Sequence, residues 1–537
     1  RRNTTTTTTT TTVTATSSSK GDGKENSRSQ EPPDCVTGLA FSFGIVPPQQ
    51  GIDLVPWRKL SKVLAARAVY LNLQQISQVM WAFAQAKFAS KKMCQVLAKR
   101  AMFCLKDPDA PPTTPNMLAL LLWSFAKLGV LGDLMLFRRS IGIVLKMLPD
   151  CDPRSLSIFA WSFAKAGVRN FVLYTRLAEA CIDSASLCSP QDLANIVWAF
   201  GTTTFRNDNM LIAIAYEIAS QLSAFKSHEI ANIAWAYALL GFHSEVLFSA
   251  FASLPRDRFD YFETRDIIRL AWSFAVLGIR EDFQKTLLEK VNQLPYSFFL
   301  TLKTPEKGQI HHVCLSLSLG TGEPPLSRFL LQDCLEAFRP SSTKMTVFEG
   351  EVGLLLWRLG ANLEGHYETE DGISIDWVVA EQKIAVECDG PHHFARGSDA
   401  MLGPTIFKHR MLKQKGWNVV QVTYWQWESC ATLGEKMDYL RFLLHLKDVQ
   451  TQTWTQRKGP PPGRLRSGQA PHGIEEQCET ERADGQDSTS VLSSRHNVLK
   501  FRRKDTAAKL QKLVQQTDQD AQRVDNILSL IKPPTTK

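Results

Sequence analysis

None of the eleven cysteines pairs with another at C-x-x-C spacing, and none gathers with others at zinc-finger spacing. That excludes a disulfide framework of the secreted kind and fits a reducing compartment, with most cysteines serving as small buried hydrophobes. No run of about 18 apolar residues is uninterrupted, the nearest, Met117–Phe137, carrying Lys127 and Asp133, so no membrane span is expected. There is no Gly-rich phosphate loop and no His-Arg-Asp or Asp-Phe-Gly string, which removes a protein kinase. The first twenty residues lack any acid and set Arg1, Arg2 and Lys20 among Thr and Ser. This composition fits the end of an organelle transit peptide and, equally, a low-complexity tract.

What is there is globular. Apolar residues make up 44% of the 537 and charged ones 21%. A chain of this length holds two or three folded units. The net charge of +9 permits a polyanionic partner without demanding one.

The dominant feature is an internal repeat. Val79-Met-Trp81-Ala-Phe-Ala recurs around Trp123, Trp161, Trp198, Trp235 and Trp272, with successive spacings of 42, 38, 37, 37 and 37 residues. Weaker copies flank these at Leu39-Ala-Phe41-Ser-Phe43 and His312-Val-Cys314-Leu. Each unit reads as a helix pair. Around Trp198, Ser189 is the expected N-cap, Pro190 opens the first turn and Asp192 closes a capping box. In four copies a glycine lies six residues past the Trp (Gly129, Gly167, Gly241, Gly278), where a left-handed cap would end the helix. Met210–Leu222 gives the second helix. A pair of about 37 residues cannot bury its own apolar face, so units must stack into an α-solenoid. The Trp, set in an apolar stripe, is expected to be the core knob between units, with an RNA-stacking role as the alternative.

Over roughly residues 70 to 300 this pattern resembles the heptatricopeptide and octotricopeptide repeats and the helical arrays of FAST-kinase-like proteins. The resemblance implies RNA binding along one face. Three residues before each Trp stand Gln78, Leu120, Ile158, Asn195, Asn232 and Arg269. Asn195, Asn232 and Arg269 could reach base edges. Alternatively, the two amides tie helices together.

From Thr343 the texture changes. Thr346–Leu359 reads as a helix, Ile373–Val379 and Lys383–Gly390 as strands, Thr405–Gly416 as a basic helix and Val419–Trp425 as a closing strand. The order is that of a small α/β domain. Ile384-Ala-Val-Glu387-Cys-Asp389-Gly390-Pro-His-His393-Phe394, followed by Lys408-His-Arg410-Met-Leu412-Lys413 and Trp425-Gln-Trp427, resembles a RAP domain. That family is similar to very-short-patch-repair endonucleases and the PD-(D/E)XK nuclease fold.

Asp376 and Glu387 are expected at neighbouring strand ends, where two carboxylates can share Mg²⁺ that polarises a phosphodiester. Glu387 and Asp389 share parity and face the same way. Glu351 could support the site, and His393 could act as general acid or base. Lys408, Arg410 and Lys413 are candidates for phosphate contact. The nuclease pattern has Lys two residues beyond Glu387, and this chain has Asp389. Two readings therefore stand: a Mg²⁺-dependent endoribonuclease using Asp376, Glu387, Asp389 and His393, or a degenerate nuclease fold kept for RNA binding that requires no cofactor. A zinc site at Asp389, His392 and His393 would need Cys388, which should point to the opposite face.

The expected layout is low complexity over 1–34, the array over 35–340 and the α/β domain over 345–447. A linker and basic helical tail would fill 448–537, with Val498–Ile531 helical. The expected fold class is mainly α: a solenoid followed by a restriction-endonuclease-like domain. The expected function is binding of single-stranded organellar RNA in processing, stability or translation, in a mitochondrion or plastid (alternatively the cytoplasm). Ribosomal or ribonucleoprotein partners fit that role, and a protein-binding scaffold is the rival.

Overall fold

A computed structural model of the chain describes residues 55–446, apart from 108, 110, 130–133, 322–325 and 340–344, together with 454. The expected repeat at Phe41 and the expected tail helix lie outside these residues. Those described fall in one unit, Arg1–Leu465.

Helix α1 (Val55–Arg67) leads into six helix pairs: α2 (Leu73–Gln85) with α3 (Lys91–Cys104), α4 (Pro115–Leu128) with α5 (Met135–Met147), α6 (Pro153–Lys165) with α7 (Phe171–Ser184), α8 (Pro190–Thr203) with α9 (Asp208–Ser220), α10 (Ser227–Leu239) with α11 (Glu245–Ala252), and α12 (Thr264–Leu277) with α13 (Glu281–Asn292). The single turn α14 (Tyr296–Phe299) precedes a last pair, α15 (Thr304–Thr321) and α16 (Arg328–Phe338). First helices pack on first helices, and most second helices on their like, which is the two-layer solenoid expected.

Local chemistry sets the ends. Asn72, Thr114, Asp152 and Ser189 cap their helices by accepting from the third backbone N–H, and Pro115, Pro153 and Pro190 open the first turn. The residue six past the Trp is left-handed in all six pairs: Lys87 (φ 52°), Gly129 (66°), Gly167 (72°), Thr204 (54°), Gly241 (62°) and Gly278 (71°). The four glycines were expected there. Lys87 and Thr204 take the same conformation without glycine's freedom.

The core corrects one expectation. The ring two residues beyond each Trp is the knob between layers: Phe83, Phe125, Phe163, Phe200, Tyr237 and Phe274 are all 2% exposed or less. Of the six repeat Trp residues only Trp272 is buried; the other five are half-buried. Residues i and i+2 lie about 200° apart on a helix, so they cannot face the same layer. The smaller ring fits between layers, and the indole lies along the rim.

The C-terminal part holds α17 (Val347–Leu359), β1 (Glu364–Glu368), β2 (Ser374–Val379), β3 (Ile384–Asp389), α18 (Gly403–Gln414), β4 (Asn418–Thr423), the short α19 (Tyr424–Ser429) and α20 (Leu433–Leu446). The sheet order is β1-β2-β3-β4, antiparallel except for the parallel β3–β4 pair. Strand β1 had no sequence signature. One sheet face, with Val386, Cys388, Val420 and Val422, packs against Leu355 and Leu356 of α17 and Leu440 of α20. On the other side Phe407, Met411 and Leu412 of α18, with Val419, belong to the same continuous core as the repeats. Helix α18 lies against α10, α12 and α15.

Candidate functional site

Three residue columns line the outer face of the first helices: seven before the Trp, three before it, and the Trp itself. The first is exposed in all six pairs (Gln74, Asn116, Arg154, Gln191, His228, Arg265), and the second is half-buried in all six. This i, i+4, i+7 spacing is one helical stripe. Four residues past the Trp the stripe continues with Gln85, Lys127, Lys165, Thr202, Leu239 and Val276. In none of the six helices is the position seven before, three before or four after the Trp an Asp or Glu. Six residues before the Trp stand three acids: Asp192 and Glu229, which accept from the Ser189 and Lys226 backbones at their helix starts, and Asp266, which lies 3.8 Å from Arg269.

The indoles form rungs. Trp123 and Trp161 have ring centroids 6.5 Å apart, and Trp161 and Trp198 stack at 6.0 Å with 29° between planes. Lys127 sits 4.3 Å over the Trp123 ring. Burial, with Lys87 nearby, lowers its pKa. A pocket of about 110 Å³ opens beside Trp161 and Trp198, with Gln191, Asn195, His228 and Asn232 on its walls. Arg269 Nη1 donates to Asn232 Oδ1 at 2.7 Å. So these two of the three expected readers bind each other, as the helix-tying alternative had it. The column ends at Trp272, whose Nε1 donates to His312 Nδ1 at 2.8 Å. The His312 ring lies 4.6 Å from Phe407 of α18, so the α/β domain covers the last rung.

The second candidate lies at the end of β3. Trp377 pairs with Val386, so the next step along both strands sets Asp376 opposite Glu387. Glu387 and Asp389 share the sheet face that looks toward α18 and are 2% and 1% exposed. Lys408 Nζ donates to Glu387 Oε2 at 2.6 Å, Gln421 Nε2 to Asp389 Oδ2 at 2.6 Å, and the Cys388 amide to Asp376 Oδ2 at 2.7 Å. Burial, reinforced by Asp376 and Asp389 and opposed by Lys408, pushes Glu387 up to about 8. Burial likewise raises Asp389 to about 6. For Lys408 burial works downward, but Glu387 and Asp376 outweigh it and hold the ammonium charged.

Each of the three carboxylates has one oxygen held by a protein donor, and the Lys408 ammonium supplies counter-charge; the second oxygen of Glu387, Oε1, is buried without a hydrogen-bond partner. Among the described residues no group of three or more His, Cys, Asp or Glu is arranged to hold a metal ion. Cys388 faces the opposite core, as expected.

Three further expectations are corrected. Burial, with His392 and Lys408 adjacent, lowers His393 to about 3, so its proton does not move near neutrality; its Nδ1 lies 3.0 Å from Thr405 Oγ1. Glu351 lies with the other core, its Oε2 accepting from Trp427 Nε1 at 2.9 Å and Lys436 Nζ at 2.7 Å. Arg410 is a docking residue rather than a phosphate clamp. It donates to the Val276 carbonyl at 2.9 Å and to the Ala275 carbonyl, capping the end of α12. Lys408 is committed to Glu387, and of the three expected basic contacts only Lys413 is exposed.

The sequence did not reveal how the two parts join. Arg206 N donates to Arg396 O at 2.8 Å and Arg396 N to Thr204 O at 2.7 Å, a two-way backbone link from the end of α8 to the loop before α18. A Cβ on Gly403 would overlap the Ala238 carbonyl, and one on Gly241 would come within 2.6 Å of the Met401 carbonyl. Three successive repeat ends thus meet the α/β domain.

Residues 386–443 match the family model of the RAP domain, and residues 58–282 match that of the RNA-editing substrate-binding complex 6 protein. The chain is 41% identical over 102 residues to a chloroplastic RAP domain-containing protein of Oryza sativa subsp. japonica, covering 19% of this chain and 16% of that one. It is 37% identical over 75 residues to a mitochondrial FAST kinase domain-containing protein 3 of Rattus norvegicus, covering 13% and 11%. The chain therefore matches less than a fifth of these relatives' lengths. The C-terminal part of the chain carries a RAP domain, attached to an α-helical repeat array.

Proposed function

We propose that this RAP-domain chain is an organellar RNA-binding factor that lays a single strand along the Trp column of its array, in RNA processing, stability or translation. The observation that carries the reading is the column itself: half-buried indoles flanked by positions free of acid. Lys127, Arg154 and Lys165 supply the counter-charge for phosphates, and the indoles supply stacking surface for bases. Rungs 6.0 to 6.5 Å apart exceed the rise of about 3.4 Å per nucleotide in a stacked strand. That spacing favours splayed single strands over duplexes. The family match to an RNA-editing substrate-binding protein supports an RNA or ribonucleoprotein partner, and the relatives named chloroplastic and mitochondrial support an organelle.

In this reading the RAP domain closes the end of the array, and Lys413 adds an exposed cation beside it. This reading assigns the RAP domain binding rather than cutting, since the Lys408 ammonium is already paired with Glu387. The reading is tested by fluorescence anisotropy with labelled RNA over a salt series. Single strands should bind more tightly than the matching duplex, with log affinity falling linearly in log salt. Replacing Lys127, Arg154 and Lys165 by Ala should lower that slope by roughly 2, at about 0.7 per single-strand phosphate contact. A duplex that binds equally well, or a slope untouched by the triple variant, would refute the column as the binding face.

A further inference from the structure

We infer that the pocket beside Trp198 is a selective slot for one unpaired adenine, within an otherwise sequence-tolerant track. This rests on the proposed RNA-binding reading and deepens it. The Trp column offers every rung a ring to stack on, and the fourth and fifth rungs add two asparagine amides on the walls of one pocket. Three residues before the Trp, the second and third rungs carry Leu120 and Ile158, which offer no hydrogen bond. On the fourth and fifth rungs the same position holds Asn195 and Asn232, which share one pocket of about 110 Å³ with Trp161, Trp198, Gln191 and His228.

The amides are not equivalent. Arg269 Nη1 occupies Asn232 Oδ1 at 2.7 Å, and Arg269 is itself steadied by Asp266 at 3.8 Å. That fixes the flip of the Asn232 amide and leaves its Nδ2 to donate. Asn195 can donate and accept. Glu229, also on the wall, has its Oε2 on the Lys226 amide at 2.8 Å, at the start of α10. An edge with an acceptor beside a donor matches this pair, and the N7 and N6 groups of adenine present that edge to an Asn. Uracil has no amino donor, and cytosine presents the same acceptor–donor order, N3 beside N4, only on a single ring that offers the indoles less area to stack on. The N7–O6 edge of guanine offers two acceptors, which would use the donor of Asn232 but leave the Asn195 carbonyl unpaired, and its other edge reverses the order, with the exocyclic oxygen accepting and the ring N1–H donating.

The test uses the full chain and short single-stranded RNAs. Selection from a randomised RNA pool should enrich sequences with one strongly fixed adenine. Replacing that adenine by guanine or uracil should weaken binding about tenfold, as expected for loss of a paired amide contact, and replacing it by cytosine should weaken binding less. Asn195→Leu should abolish the preference at that one position, with the adenine-bearing RNA falling to the affinity that its guanine-replaced version has for the unaltered chain. Arg269→Met, which frees the Asn232 amide to flip, should relax the preference at the same position. Melting curves on both variants check that the array stays folded. Pool binding with no fixed base, a fixed base other than adenine, or a preference unchanged in Asn195→Leu overturns the slot while leaving RNA binding intact. No binding of any RNA by the unaltered chain overturns the slot and the reading beneath it together.

Discussion

Four glycines at one repeat position provide a measurement of how tightly the RAP domain is docked. Gly129, Gly167, Gly241 and Gly278 share the left-handed conformation, with φ between 62° and 72°. Alanine at any of them pays the same local penalty, about 1–2 kcal/mol for an L residue in that region. Their surroundings differ. A Cβ on Gly129 or Gly167 meets nothing within 4 Å. On Gly241 it comes to 2.6 Å from the Met401 carbonyl and 3.3 Å from the Gly403 nitrogen, both backbone atoms. On Gly278 it meets the Arg410 guanidinium at 2.6 Å, the end of a flexible side chain. Overpacking against atoms that cannot yield adds about 1–3 kcal/mol. Urea unfolding should therefore rank Gly129→Ala and Gly167→Ala as mildest, near 1 kcal/mol, then Gly278→Ala, with Gly241→Ala costing about 2–4 kcal/mol. Hydrogen exchange in α18 should rise in Gly241→Ala and stay at the parent level in Gly129→Ala. Equal losses at Gly129 and Gly241 would mean that the RAP domain does not rest on the repeat ends, and the shared core would fall with it.

Three other outcomes follow from the buried groups. Burial raises Glu387 from 4.5 to about 8, so the folded chain keeps a proton that the unfolded chain has lost. Its stabilising effect is thus complete below the lower value and gone above the upper one. Melting temperature should fall between about pH 4.5 and 8 and level off above that, and Glu387→Gln should flatten that stretch; an unchanged profile would show that Glu387 is not the group responsible. Lys408→Met removes the counter-charge of the acid cluster and, above about pH 8 where Glu387 is ionised, should destabilise by about 3–5 kcal/mol in urea unfolding, with much of this recovered in the double variant with Glu387→Gln. A single variant as stable as the parent would reopen the cluster to an external cation. Phe200→Ala, at a ring packed edge-on against Tyr174 at 5.4 Å, should cost about 3–5 kcal/mol. Trp198→Leu should cost less in melting but weaken RNA binding in anisotropy, and the reverse order would restore Trp198 to the core.

Much of the architecture was legible because it is local. Ser189, Pro190 and Asp192 announce a helix start, and the glycines six past the Trp announce its end. Lys87 and Thr204 show the limit: the register demands a left-handed residue there, but their side chains do not signal one. The exchange of roles between Trp198 and Phe200 was illegible because both are large apolar rings. Only the separation of the two helix layers decides which fits between them. Glu387 and Asp389 could be set on one face from strand parity. Their partners could not be foreseen, since Lys408 lies 21 residues away and Gln421 32 from Asp389. Arg410 bonds a carbonyl 134 residues earlier, a distance at which pattern carries no information. Strand β1, Glu-Gly-His-Tyr-Glu, lacks alternation because its positions are exposed or half-buried along its length.

The two-way link between Thr204, Arg206 and Arg396 makes the two ends of the array unequal as sites of change. A whole helix pair inserted or lost before Trp161 leaves every contact with the RAP domain in place and simply lengthens or shortens the track. The same event between Trp198 and Trp272 would move the ends of α8, α10 and α12 by one rung relative to Arg396, Gly403 and Arg410, and the three seats could not be filled at once. Chains built on this plan should therefore vary in length from the N-terminal side, with the three pairs nearest the RAP domain fixed in number.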